Sequence, residues 1–253
     1  ETGANTHIWF TPARWGAHVF DGKPRRHMHR TVRERSLILD GLQPHWEYEN
    51  PQQLQGSFSF DRKGSFQDRP PGSMHGLEPG PASPTGSKIL FWDTGVSRDR
   101  KVWGQEQEME TVPVPYEGDL SIYGDQFASG THTDSNLLPW TAHPTVSAWK
   151  EKRLADQSTD APEVSIVHVP SGWSAANVDV QLDAGIDRRW LYVLHGDLDL
   201  EIEGEGSGNP EPVSLHAGHY LEWFNPQTLR FRAGVSSSSE IGCEILCVGH
   251  RLA

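Results

Sequence analysis

The sequence predicts an all-β protein built from two related modules. Turn residues are frequent and evenly scattered, with 25 Gly and 18 Pro among 253 residues. Short runs of Val, Ile, Leu and aromatics lie between those turns, as strands do. Two of the runs also repeat in order along the chain, which is the mark of a duplicated unit. The first reads Glu34-Arg35-Ser36-Leu37-Ile38-Leu39-Asp40-Gly41 and the second Arg189-Trp190-Leu191-Tyr192-Val193-Leu194-His195-Gly196. Each is an apolar strand stopped by Gly, and the two glycines stand 155 positions apart. Upstream, Arg14-Trp15-Gly16 and Gly172-Trp173 precede the two units, and downstream Pro70-Pro71-Gly72 and His216-Ala217-Gly218 each make a turn before a further strand.

In the first module further strands are expected near Gly56–Phe60 and Lys88–Trp92, with turns at Asp61–Gly64 and a Pro- and Gly-rich loop at Glu78–Gly86. In the second, Val178, Val180 and Leu182 alternate with polar residues. Leu198, Leu200 and Ile202 do the same against Asp197, Asp199, Glu201 and Glu203, the period of a half-buried strand. Glu203–Pro212 reads as a hairpin tip. Residues 1–111 and 161–253 are therefore expected to be two barrels, and 112–160 a connecting region in which Ala148–Ala155 forms a short helix.

The formal net charge of -12 disfavours a nucleic-acid partner, because an acidic chain repels phosphate. No run approaches 18 apolar residues, so no membrane span is expected. Cys243 and Cys247 share a strand face but lie roughly 13 Å apart along it. That is too far for a disulfide, and two buried thiols fit a reducing cytoplasm. No signal-peptide pattern stands at the start of this sequence, in keeping with a cytoplasmic location.

Thirteen His are present, and three fall into one pattern. His27-Met28-His29 is followed by four residues and Glu34, then six residues and Gly41. Gly64 is followed by five residues, Pro70, one residue, Gly72, two residues and His75. Residues i and i+2 of a strand share a face roughly 6.5–7 Å apart, so His27 and His29 can converge on one ion. Glu34 is an odd number of positions from His29, and a turn within 30–33 is needed to bring it back from a neighbouring strand. Pro70-Pro71-Gly72 makes a second sharp turn, from which His75 arrives.

These two motifs resemble those of the cupin superfamily. Two positions depart from the pattern: the Gly expected before the first His is displaced to Gly22, and the Asn expected after the last is Pro79. Neither removes a ligand. The resemblance implies two jelly-roll β-barrels and one divalent metal ion held by His27, His29, Glu34 and His75. Fe(II) is expected first, then Mn(II), Ni(II) or Zn(II), with Co(II) also suited to three imidazoles and a carboxylate. No Cys lies nearby, which favours an open, chemically active ion over a closed structural zinc.

Aligning the second module on the first puts Leu182, Ala184, Arg189 and Leu221 at the four ligand positions. That barrel is expected to hold no metal, and His195, His216 and His219 lack the spacing of a ligand set. The resemblance implies an enzyme acting on a small organic molecule, with a dioxygenase expected first. A metal-dependent lyase, decarboxylase or isomerase is the alternative, and a ligand-sensing cupin a third reading. Tyr48 and Asp93 are the candidate proton carriers, with His45, Trp46 and Trp92 near them. A homodimer is compatible with the sequence, which names no substrate.

Overall fold

The computed structural model describes residues 5–11, 25–29, 32–49, 56–77, 83–95, 109–111, 128–144, 146–156, 162–173, 178–179, 188–203, 211–224, 228–231 and 242–249. Within them the chain is all strand, turn and bend, and every strand pairing is antiparallel. Among the described residues no helix is long and apolar enough to cross a membrane. Contacts divide the chain into a first unit, Glu1–Asn136, and a second, Leu137–Ala253.

The first unit contains β1 (Asn5–Thr11), β2 (Arg25–His29), β3 (Val32–Glu47), β4 (Ser57–Arg62), β5 (Ser65–Arg69), β6 (Met74–Leu77), β7 (Ser87–Gly95), β8 (Met109–Thr111) and β9 (Thr131–Asp134). The second contains β10 (Thr141–Ala142), β11 (Lys150–Ala155), β12 (Val164–Val169), β13 (Val178–Asp179), β14 (Arg188–His195), β15 (Asp197–Glu203), β16 (Glu211–His216), β17 (Tyr220–Phe224), β18 (Thr228–Phe231) and β19 (Cys243–Val248).

Strand β3 organises the first unit. Its first half pairs with β7 and β5, and its second half with β4 and β6. The sequence predicts a stop at Gly41, but the chain passes through it as a bent strand that changes sheets. The register shifts between Ile38 and Asp40, and Gly41 has φ 74. A Cβ there would stand 2.0 Å from the Gly86 carbonyl oxygen. Only Gly fits so close an approach in the left-handed region. The bend turns Glu34 and Ser36 of the first half, and His45 and Glu47 of the second, toward one interior. The second unit repeats the device. A Cβ at Gly196 would meet the Gly242 oxygen at 2.5 Å, and Gly86 and Gly242 stand 156 positions apart, against 155 for Gly41 and Gly196.

The second unit packs a six-stranded sheet, β10-β11-β12-β19-β14-β17, with a four-stranded one, β13-β18-β15-β16. Register lines up Val167, Ile245 and Val193 across β12, β19 and β14, and Cys247, Leu191 and Leu221 across β19, β14 and β17. Leu198, Leu200 and Leu215 complete this apolar core, with Leu221 packed against it. Each such side chain contributes about 1.5–3 kcal/mol when fully buried. The expected alternation holds from Asp197 to Leu200, with Leu198 and Leu200 buried, and breaks at Glu201, which is buried as well. Cys243 and Cys247 are free buried thiols, as their spacing requires. Burial pushes the Cys243 thiol up to about 12.

One element differs in kind. Ala148–Ala155, expected as a helix, holds β11, which pairs with β10 and β12 and whose buried residues, Glu151 and Leu154, lie either side of Arg153, where a register shift begins. Lys, Glu, Arg, Leu and Ala are good helix formers, but neighbouring strands on both sides override that preference. The stretch 112–160, expected to connect the modules, is itself divided: β9 pairs with β5, while β10 and β11 extend the second unit's sheet.

Candidate metal centre

Two of the four expected ligands have described side chains, and the fold brings them together. Glu34 enters from β3 and His75 from β6, after the turn Pro70-Pro71-Gly72-Ser73. Gly72 has φ 85 and the Ser73 N–H donates to the Pro70 carbonyl at 3.0 Å. Pro then Gly at the two central positions is what a type II turn demands. Glu34 Oε1 lies 3.3 Å from His75 Nε2, with both side chains only 6% exposed. Donor atoms that share an ion at about 2.1 Å stand about 3 Å apart, so the pair suits a common ion. The His75 Nδ1 lies 3.2 Å from the Ser73 carbonyl oxygen, a contact that fixes the ring with Nε2 toward Glu34.

His27 pairs with His75 in the β2–β6 register, and His29 with Met109 of β8. Cross-strand partners share a face. The side chains of His27 and His29 lie outside the described residues. Among the described residues no group of three His, Cys, Asp or Glu side chains forms a metal site.

The expected proton carriers fall differently. Asp93 is the β7 partner of Glu34 in register, and its side chain lies outside the described residues. Tyr48 is buried, its N–H donates to the Met74 carbonyl beside His75, and its ring packs over Gly56. Trp92 is paired with Arg35 and packs on Phe66, while Trp46 packs on Phe58. Alternation puts both Trp on the strand face opposite Glu34 and His45, so they are packing residues.

Of the groups in the network around Glu34, His45 was expected near the site, whereas Arg69, Glu47, Gln67, Asp61 and His132 were not. Arg69, directly across β5 from Glu34, donates Nη1 to Glu34 Oε1 at 2.6 Å, Nε to Glu47 Oε1 at 2.8 Å and Nη2 to His45 Nδ1 at 2.8 Å. Since guanidinium only donates, His45 Nδ1 accepts and its Nε2–H donates to Glu47 Oε1 at 3.0 Å. Gln67 Nε2 donates to His45 Nδ1 at 3.1 Å and to Asp61, and Gln67 Oε1 accepts from Ser36 at 2.8 Å. Asp61 Oδ1 lies 2.7 Å from His132 Nε2. The interior of the first unit is thus a connected polar network, whereas that of the second is apolar.

Charge follows from these contacts. Burial opposes the Arg69 charge, but the Glu34 and Glu47 carboxylates outweigh it and hold the guanidinium pKa above its usual value. Burial would raise the Glu47 carboxyl, yet the His45 hydrogen bond and the Arg69 charge bring it down to about 2. Burial, then Arg69, lowers the His45 pKa, which keeps that ring neutral. The sequence signal for Glu47 was its place two residues from His45 on one strand face. Asp61, Gln67 and His132 gave none, because polar strand residues ordinarily face solvent.

Hydrogen bonding to Asp61 raises the pKa of His132 above 6.5. For Asp61, burial would raise the carboxyl, but the His132 hydrogen bond and the nearby His45 and Arg69 bring it below 3.8. The His132 contribution to stability is therefore full below pH 6.5 and lost as pH rises through its folded value. That of Asp61 is present above pH 3.8 and lost as pH falls through its own. The thermal midpoint should peak between these limits. His132→Gln should lower stability near pH 6 by about 1 kcal/mol, a figure discounted for the half-exposed ring, and should flatten the decline above pH 6.5. An unchanged pH profile in the variant counts against the pairing.

No family model and no curated protein sequence matches this chain. Solved structures do match it. Oxalate decarboxylase from Bacillus subtilis aligns with a TM-score of 0.58 at 12% identity, over 99% of this chain and 69% of that one. The Lactobacillus farciminis oxalate decarboxylase, in its formate complex, aligns with a TM-score of 0.59 at 11% identity, over 99% and 77%. A third structure, from work on the Mn(II) centres of the Bacillus subtilis enzyme, aligns with a TM-score of 0.58 at 11% identity, over 100% and 70%. Likeness at such low identity speaks for the fold alone, and with the strand order above it shows an all-β chain that shares the jelly-roll fold of those structures.

Proposed function

We propose that the first unit holds one divalent ion through His27, His29, Glu34 and His75 and serves a decarboxylation or related lyase reaction on a small polar carboxylic acid. The observation that carries this reading is the Glu34 Oε1–His75 Nε2 approach of 3.3 Å inside a polar interior. The reading takes the place of the dioxygenase expected first from the ligand set. Its support is the shared fold with the oxalate decarboxylases, and for the same reason Mn(II) moves ahead of Fe(II).

A bound divalent ion supplies Lewis acidity to a substrate oxygen. The chain's own residues supply the rest. Arg69 keeps a fixed positive charge in the wall, Glu47 stays ionised, and neutral His45 orients Glu47 by donating to it. Loss of CO2 from a carboxylate leaves an electron pair on carbon, which takes up one proton. Tyr48 and Asp93 are the candidates to deliver it, Asp93 by its place opposite Glu34 in register.

The test supplies Mn(II)-loaded protein with oxalate and other small dicarboxylates and follows CO2 and O2 together. CO2 release without matching O2 uptake is the expected result. Stoichiometric O2 consumption would return the assignment to an oxygenase.

A further inference from the structure

We propose that Arg69 is the resident counter-cation of Glu34 and that it gives up this carboxylate oxygen when the ion binds, so that Arg69 limits metal affinity. The inference rests on the metal reading above. Its basis is one atom: Glu34 Oε1 is both the oxygen held by Arg69 Nη1 at 2.6 Å and the oxygen 3.3 Å from His75 Nε2.

The exchange strands no charge. Released from Glu34, Arg69 keeps Glu47 at Nε and His45 at Nη2. Glu34 passes from one cation to another. Backbone register sets Arg69 directly across from Glu34, so the guanidinium stays close and returns when the ion leaves.

Two effects of removing Arg69 oppose each other. Losing an orienting hydrogen bond costs about 10–100-fold in metal affinity. Taking the Arg69 charge away from the buried Glu34 and Glu47 carboxylates destabilises the metal-free state, and a divalent ion relieves that state directly. The shared oxygen decides for the second effect, because here the orienting bond and the coordination site coincide.

The test titrates Mn(II) into metal-free full-length protein by calorimetry. Arg69→Gln should bind Mn(II) about tenfold or more tighter than wild type, with a larger rise in thermal midpoint on loading. Arg69→Lys keeps the charge and should stay within about threefold of wild type. Should Arg69→Gln fail to fold, the wild-type protein carries the test by nitrogen NMR with diamagnetic Zn(II). The Arg69 guanidinium signals, identified by their absence in Arg69→Lys, should move up to one equivalent and then stop. Equal or weaker Mn(II) binding by Arg69→Gln, or stationary Arg69 signals during Zn(II) saturation, would overturn the role of Arg69 while leaving the metal site intact. A wild-type protein that binds neither ion would overturn the metal reading and this inference with it.

Discussion

A His27→Ala, His75→Ala double variant should bind divalent metal about a hundredfold or more weakly than wild type, which should itself carry close to one ion per chain. Changing a group that only supports a ligand already costs about 10–100-fold, and here half of the proposed donors are removed. Glu34→Gln should weaken binding less, since an amide oxygen still coordinates. Elemental analysis of protein purified without added metal, followed by competition with a chelator, measures all three. The second barrel supplies the internal control. Leu221, aligned with His75 on sequence, stands instead where Gln67 does, since it pairs with Leu191 as Gln67 pairs with Ser36, and it packs against the apolar core. The leucines there offer an ion no lone pair, and burial keeps the neighbouring Cys247 thiol protonated, so the stoichiometry should be one and should fall toward zero in the double variant. A second equivalent that survives the mutations would show that the modules are misaligned, or that a site exists among His195, His216 and His219. In the structure His216 lies 2.7 Å from Asp197, at the exposed end of β16.

Gly41→Ala should destabilise the protein by about 2–5 kcal/mol. The left-handed conformation costs a residue with a Cβ about 1–2 kcal/mol. Overpacking a tight site adds about 1–3 kcal/mol, and the new Cβ would lie 2.0 Å from a backbone oxygen that cannot rotate away. Gly172→Ala separates the two contributions, because Gly172 has φ 67 with nothing within 4 Å of a built Cβ. It should lose only the conformational part. Thermal unfolding of both variants tests this, and a Gly41→Ala loss no greater than that of Gly172→Ala would show that β3 has another way to bend. The bend matters to the site as well, since it turns Glu34 and the His45–Glu47 pair toward one interior. Surviving Gly41→Ala protein should therefore also bind Mn(II) more weakly.

Local spacing made much of this protein legible. The Pro-Pro-Gly turn before His75 and the alternation from Asp197 to Leu200 are each set by contacts within a few residues. The same holds for the two free thiols, whose separation along one strand excludes a bond. The helix expected at Ala148–Ala155 failed for the opposite reason: β10 and β12, its partners, are chosen by the whole sheet, and Glu151 and Arg153 of that strand are paired with each other rather than with solvent.

What the sequence determined by itself is the strand alphabet and the motif pair that can hold an ion, because both depend on residue types at short fixed spacings. Only the tertiary structure decided that Arg69, from a different strand, would stand on the same carboxylate oxygen as His75. It likewise decided that Asp61 and Gln67 would turn inward rather than toward water, with the half-exposed His132 reaching Asp61. A strand presents two faces and its sequence does not label which is inside. That choice is made when β3 bends at Gly41 and β4, β5 and β9 close around it, where each buried polar group must find a partner from another strand.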